Sequence, residues 1–208
     1  MRILITAGPT REYIDDVRFL SNASSGRMGY SLAAAAVERG HQVVLVTGPV
    51  DLRPPAACEV HLIETTDQLR QTCLQLFPNC DGVIATAAVC DYRPRQRTTG
   101  KITKTGQPVV LELVETSDVL AELGSRKEDQ WIVGFALESQ DPRNNAMRKL
   151  RMKRCDYIVL NDTSAISAVT NNVEVLSPDA LTVARYEGTK EQVARELLTL
   201  IEASFGKD

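Results

Sequence analysis

The sequence predicts an α/β fold: a mostly parallel sheet between two helical layers, with an antiparallel C-terminal hairpin at one edge. Three observations lead there. Short, continuous Val/Ile/Leu-rich runs recur along the chain, stretches of helical periodicity separate them, and two further apolar runs flank Ser177-Pro178-Asp179. Unbroken apolar runs of strand length suit strands covered on both faces, as in a parallel sheet packed under helices. Together these features give a three-layer, Rossmann-like pattern.

The elements follow in order. Residues 2–6 and 42–47 read as buried strands, followed by 59–63, 81–85, 131–135 and 156–160. The Ala-rich stretch 28–39 is a helix stopped by Gly40. Thr65-Thr66 offers a cap for a helix over 67–77, and residues 117–123 form a short helix ending at Gly124. Asp141-Pro142 puts a capping carboxylate before a proline at the first helical position. Thr189-Lys190-Glu191-Gln192 is a capping box, with Val193, Leu197, Leu200 and Ile201 as the apolar face behind it. Runs at 173–176 and 181–186 form the hairpin. Long unpatterned loops occupy 7–25, 86–108 and 161–172; the first two follow strand C-termini, where open α/β sheets bind ligands.

With 208 residues, 43% of them hydrophobic, the chain predicts one domain over 1–208. A net charge of −3 without a long basic run argues against nucleic acid. Five cysteines with no C-x-x-C pair argue against a disulfide framework and for a cytoplasmic protein. No apolar stretch has the length to span a bilayer, so no membrane partner is expected.

Two loops carry the chemistry. After the first strand come Ala7-Gly8-Pro9-Thr10-Arg11 and then Ser21-Asn22-Ala23-Ser24-Ser25-Gly26-Arg27-Met28-Gly29, opening a helix. Small residues let backbone N–H groups approach an anion, and the helix dipole favours it. Ser24 and Ser25 add hydroxyls; Arg18 and Arg27 add charge. A G-x-G-x-x-G fingerprint would follow the strand directly, whereas a long insertion intervenes here, and the second strand ends Thr47-Gly48-Pro49 with no acidic residue for a ribose. A nicotinamide-dependent oxidoreductase is therefore the weaker reading, and a P-loop is absent. After the fourth strand, Ala85 to Ala88 leave room for a ring or ribose, and Asp91 offers a ligand for a metal ion or a hydroxyl. Arg95, Arg97, Lys101 and Lys104 then form a cationic segment suited to close over a polyphosphate. A capped turn and a solvated loop are the plain alternatives for these two features.

The segments ITAGPTRE (5–12), VRFLSNASSGRMG (17–29), TGPV (47–50), AAVCDYR (87–93), KITK (101–104), VGFALES (133–139) and LNDTS (160–164) together resemble the phosphopantothenoylcysteine synthetase family. The resemblance implies a ligase that activates the carboxylate of 4′-phosphopantothenate on a nucleoside triphosphate and transfers the acyl group to cysteine. CTP is the co-substrate in bacterial members and ATP in eukaryotic ones, with Mg2+ bridging phosphates.

By the same resemblance Asn22, Lys101 and Arg18 are the catalytic residues. Gly26, Gly29, Ala87, Ala88, Asp91 and Phe135 match nucleotide-side positions of the family, and the two loops add Gly8, Ser24, Ser25 and Lys104 as nucleotide contacts and Asp91 as the metal ligand. A homodimer in which the flap serves the neighbouring site, no flavin in this chain, and a separate phosphopantothenoylcysteine decarboxylase complete the implications. Thr103 replaces a usual flap lysine, Cys90 a usual small residue, and 167–172 is poorer in glycine than the family pattern. A non-catalytic nucleotide-binding subunit is a further alternative. His41 and His61 lack metal-ligand spacing and read as structural, Trp131 reads as core, and Asp15 and Asp16 carry only a weak claim.

Overall fold

The computed structural model describes residues 1–138, 140–161 and 170–206. In chain order the elements are β1 (Arg2–Ala7), β2 (Arg11–Tyr13), β3 (Phe19–Ser21), α1 (Arg27–Glu38), β4 (Gln42–Thr47), β5 (Cys58–Leu62) and α2 (Thr66–Leu76). Then come β6 (Gly82–Ala85), β7 (Tyr92–Pro94), β8 (Leu113–Glu115), α3 (Val119–Arg126), β9 (Trp131–Leu137), α4 (Pro142–Met152), β10 (Tyr157–Asn161), β11 (Thr170–Leu176), β12 (Thr182–Thr189) and α5 (Lys190–Phe205).

Eight strands form one sheet in the order β12-β11-β10-β9-β6-β1-β4-β5. From β5 through β10 every pairing is parallel, and β10–β11–β12 is antiparallel. This is the predicted mostly parallel sheet with its hairpin edge. The hairpin is longer at both outer ends than the predicted runs, because Thr170 to Asn172 also pair with Glu187 to Thr189.

Side-chain alternation along each strand splits the core in two. Ile3, Ile5, Val133, Val159 and Val173 pack against α1 and α5, whereas Leu4, Val83, Ile132, Ile158 and Leu176 pack with α2, α3 and α4. Ile3, Leu4 and Ile5 are all fully buried, as required of a central strand covered on both sides. Trp131 lies in the first of these clusters and stacks on Phe205.

Local signals set the helix ends. The N–H of Gly40 donates to the Val37 carbonyl and that of His41 to Ala36, closing α1 with a Schellman motif. Thr65 and Thr189 each form a full capping box, with Gln68 and Gln192. Two ends differ from expectation. The short third helix is capped by Asp118, whose carboxylate accepts from the Ala121 N–H, and it runs through Gly124 to Arg126. Gly124 is there for packing: a Cβ at that position would lie 2.1 Å from the Lys153 carbonyl oxygen. Asp141 precedes α4 in a left-handed conformation, and its carboxylate bonds Asn144 Nδ2 rather than a backbone N–H. The histidines are structural: His41 Nε2 lies 2.8 Å from Glu202 Oε1, and His61 Nε2 lies 2.9 Å from Glu59 Oε1.

Candidate functional site

Chain order along the sheet reverses between β1 and β6, which places a topological switch point there. A cleft of about 760 Å3 opens at the carboxyl ends of these strands, bordered by residues 22–29, 85–89, 115–120 and 135–137.

Its floor repairs the interrupted glycine fingerprint. Residues 9–25 leave and return so that a Cβ on Gly26 would sit 3.3 Å from the Gly8 Cα; both glycines have positive φ, 70° and 73°. Gly29 packs α1 onto the sheet, where a Cβ would lie 2.5 Å from Ala7 Cβ and 2.6 Å from Thr86 Oγ1. A tight turn, a close backbone approach and close helix–strand packing are the three jobs of the glycines in a dinucleotide fold. Here residues far apart in the chain perform them. Gly26 is the N-cap residue of α1 and no side chain caps that end. The first N–H groups of the helix thus open toward the cleft beside Ser24 and Ser25.

The loop after β6 is bound tightly to the end of β1. Thr86 Oγ1 donates to the Thr6 carbonyl (2.6 Å), Ala87 N–H donates to Thr6 Oγ1 (3.2 Å), and Ala88 N–H donates to the Gly8 carbonyl (2.9 Å). The amides of Ala87 and Ala88 are therefore engaged within the protein, and these two small residues border the cleft. Asn22 Nδ2 donates to the Val89 carbonyl at 2.8 Å, joining the inserted loop to the loop after β6. Its Oδ1 has no partner among the described residues, which leaves an acceptor open there. Cys90 is buried with its thiol pointed at the Thr10 carbonyl, and burial raises its pKa. Burial pushes the Cys73 and Cys155 thiols up to about 12, so these cysteines are packing groups.

Of the residues singled out in the sequence, Asn22, Ser24, Ser25, Gly26, Gly29, Ala87, Ala88, Asp91 and Phe135 border the cleft. Gly8 lies beneath it. Arg18, Lys101 and Lys104 do not border it. Arg18 instead bonds Asp15 Oδ2 at 2.8 Å and the Ile102 carbonyl at 3.1 Å. Asp91 and Glu115 both border the cleft, and no group of three metal-ligating side chains occurs among the described residues. These two carboxylates are the side chains that would hold a hard cation of the Mg2+ type, together with substrate phosphates. The predicted loop at 161–172 falls largely on 162–169, outside the described residues.

Asp15 and Asp16, given little weight from the sequence, anchor the cationic segment. The fully buried Asp15 carboxylate accepts from the N–H groups of Val17, Arg18 and Ile102, and Asp16 accepts from Gly100 N–H and Arg97. Burial pushes the Asp15 carboxyl up, but the three amides and the Arg18 charge outweigh it and hold the pKa below the ordinary value. The Gly100 N–H and Arg97 do the same for Asp16. A carboxyl with a depressed folded pKa contributes stability that is complete above its unfolded value, about 4, and is lost as pH falls through the folded value. The thermal midpoint of Asp15→Asn is accordingly expected to lie below that of the wild type by a constant margin from about pH 5 upward. Below about pH 4 the margin should shrink; a gap independent of pH down to about 2 would remove the carboxylate from this role.

The cleft also gathers residues the sequence reading missed. Lys149 and Lys153 border it from α4 and its C-cap, paired with Glu138 (2.6 Å) and Asp118 (3.1 Å). Their i, i+4 spacing was the available signal. Asn161, Asn171 and Lys190 border it from the opposite side. Their sequence context marks them only as a strand end, a strand residue and part of a capping box.

Comparison with known proteins places this geometry. The family described as DNA/pantothenate metabolism flavoprotein C-terminal domain matches residues 1–205. The coenzyme A biosynthesis bifunctional protein CoaBC of Bacillus subtilis is 43% identical over 182 residues, covering 85% of this chain and 45% of that protein. A protein from an unknown prokaryotic organism, named cysteine/cysteine sulfinic acid decarboxylase, is 40% identical over 212 residues, covering 96% of this chain and 58% of its own length. The chain thus spans about half the length of the curated relatives it matches. A crystal structure of the C-terminal domain of coenzyme A biosynthesis bifunctional protein CoaBC superposes with a TM-score of 0.84 at 41% identity, covering all of this chain and 96% of that one.

Proposed function

Because the chain belongs to the DNA/pantothenate metabolism flavoprotein C-terminal domain family, we propose that it joins 4′-phosphopantothenate to L-cysteine in coenzyme A biosynthesis, by way of an acyl-nucleotide. The observation that carries this reading is the cleft itself: an asparagine tied across the switch point, with cationic side chains on both faces of the sheet.

In the first step a carboxylate oxygen of the acid bonds to the α-phosphorus of the nucleotide, the bond to the β-phosphate breaks, and pyrophosphate leaves. In the second, the amine of cysteine attacks the acyl carbon and loses a proton, and the nucleoside monophosphate departs. Both steps build negative charge on phosphate oxygens, and fixed cations and donors lower the barrier without reorganising. Lys149 and Lys153 suit the polyphosphate. Asn22 donates on one side and accepts on the other, so it can orient the acyl-phosphate junction while its bond to Val89 holds it still. Asp91 would hold Mg2+, which would neutralise charge on the phosphates.

CTP is the favoured nucleotide and the cytoplasm the favoured compartment. A homodimer is favoured too, because Lys101 and Lys104 do not border their own cleft. Charges on an arm anchored at Gly100 and Ile102 suit a neighbouring subunit's nucleotide. Pyrophosphate release, measured with CTP and with ATP, tests the reading. Release is expected only when both phosphopantothenate and nucleotide are present, with the acyl-nucleotide accumulating when cysteine is withheld. Absence of release with either nucleotide refutes it.

A further inference from the structure

The geometry points to Lys190, held by Asn171, as the group that binds the terminal phosphomonoester of the acid substrate, on the face of the sheet opposite the lysines that take the polyphosphate. This inference rests on the ligase reading above and assigns one end of its cleft.

Lys190 is only 7% exposed, and its Nζ donates to Asn171 Oδ1 at 3.0 Å. Asn171 is itself 3% exposed, and its Nδ2 reaches Met28 Sδ in the first turn of α1. All three residues border the cleft, as does Arg27. Burial and the nearby positive charge of Arg27 depress the Lys190 pKa, in that order, and the Glu191 carboxylate offsets them only in part. Lys190 is also the first residue of α5, where the helix dipole disfavours a cation. A lysine that is desolvated, faces an arginine and sits at the wrong end of a dipole is costly to the fold. A bound dianion converts each of those costs into attraction.

The neighbouring chemistry selects which phosphate binds here. Asn161 ends β10 opposite Val173, on the same face of the sheet as Asn171 two residues away. Its buried Oδ1 has no partner among the described residues and needs a donor. The acid substrate carries hydroxyl and amide N–H donors between its phosphate and its carboxylate, whereas a polyphosphate chain has only acceptors. At the other pole, with Lys149, Lys153 pairs with Asp118 just after β8, the return strand of the cationic segment. That is where the more highly charged triphosphate has both helix lysines for neighbours.

Lys190→Met keeps the aliphatic stem and removes the charge. It is expected to raise KM for 4′-phosphopantothenate by about 30-fold, the loss of one charge-assisted hydrogen bond. Discrimination against unphosphorylated pantothenate should fall by the same factor, with the nucleotide KM unchanged to within about twofold. Lys153→Met should do the reverse, raising the nucleotide KM. The inference is overturned if Lys190→Met raises the nucleotide KM as much as that of the acid, or leaves both unchanged. Asn171→Ala, which leaves the lysine in place, gives the same pattern at smaller amplitude if the pair acts together. A wild-type protein that releases no pyrophosphate would instead sink the ligase reading. Calorimetry with inorganic phosphate, comparing wild type with Lys190→Met, then decides the anion site alone: weaker binding to the variant supports it, and equal binding overturns it.

Discussion

Asn22→Ala is expected to lower pyrophosphate release by about 10²- to 10³-fold while leaving the thermal midpoint close to that of the wild type. Asn22 is exposed and its one side-chain bond among the described residues, from Nδ2 to the Val89 carbonyl, joins two loops rather than supporting the core. Little stability is therefore at stake. The bond fixes the amide at the rim of the switch point, so its loss removes an oriented donor and acceptor from where charge develops. Steady-state kinetics with purified variant checks this, together with binding of the nucleotide alone. Nucleotide affinity should change much less than turnover, because an orienting group acts mainly on the transition state. Turnover within about threefold of the wild type would remove Asn22 from the chemistry.

The second large effect is on stability. Gly29→Ala is expected to cost about 3 kcal/mol, the upper end for overpacking a well-filled core. The added Cβ would fall 2.5 Å from Ala7 Cβ, 2.6 Å from Thr86 Oγ1 and 3.2 Å from Ala7 Cα. One of these atoms is backbone, and Thr86 Oγ1 is itself fixed by a 2.6 Å bond to the Thr6 carbonyl. The relief available is for α1 to lift from β1 and β6, which also shifts the helix N-terminus that faces the cleft. Urea denaturation should show a lower midpoint with an unchanged slope, and activity should fall with it. A midpoint equal to that of the wild type would mean that α1 can ride higher without cost.

The layered fold was legible from residue pattern alone because buried strands and capped helices are local properties. Short β-branched runs such as ILIT and VVLV suit strands covered on both sides, and Thr65, Gly40 and Thr189 cap their own helices through atoms a few residues away. Gly124 and Asp141 misled for the complementary reason. A glycine near a helix end and an Asp-Pro pair are consistent with caps. What decided them was a distant backbone, Lys153 for the one, and for the other a left-handed turn that aims the carboxylate away from the helix amides.

Motif order along the chain determined which loops form the cleft, and placed Asn22, Ser24, Ser25, Gly26 and Asp91 beside it. Tertiary structure alone decided the rest. Gly8 and Gly26 meet only because residues 9–25 fold back on themselves, and Arg18 turns to Asp15 and Ile102 rather than to the cleft. Lys149, Lys153, Asn161, Asn171 and Lys190 become neighbours of one cavity through the pairing of β9, β10 and β11 and the packing of α4 and α5 around them. A lysine in a capping box reads as solvated because the box specifies only the helix end. Which way its ammonium points, and whether water reaches it, depends on helices and strands that the local sequence does not encode.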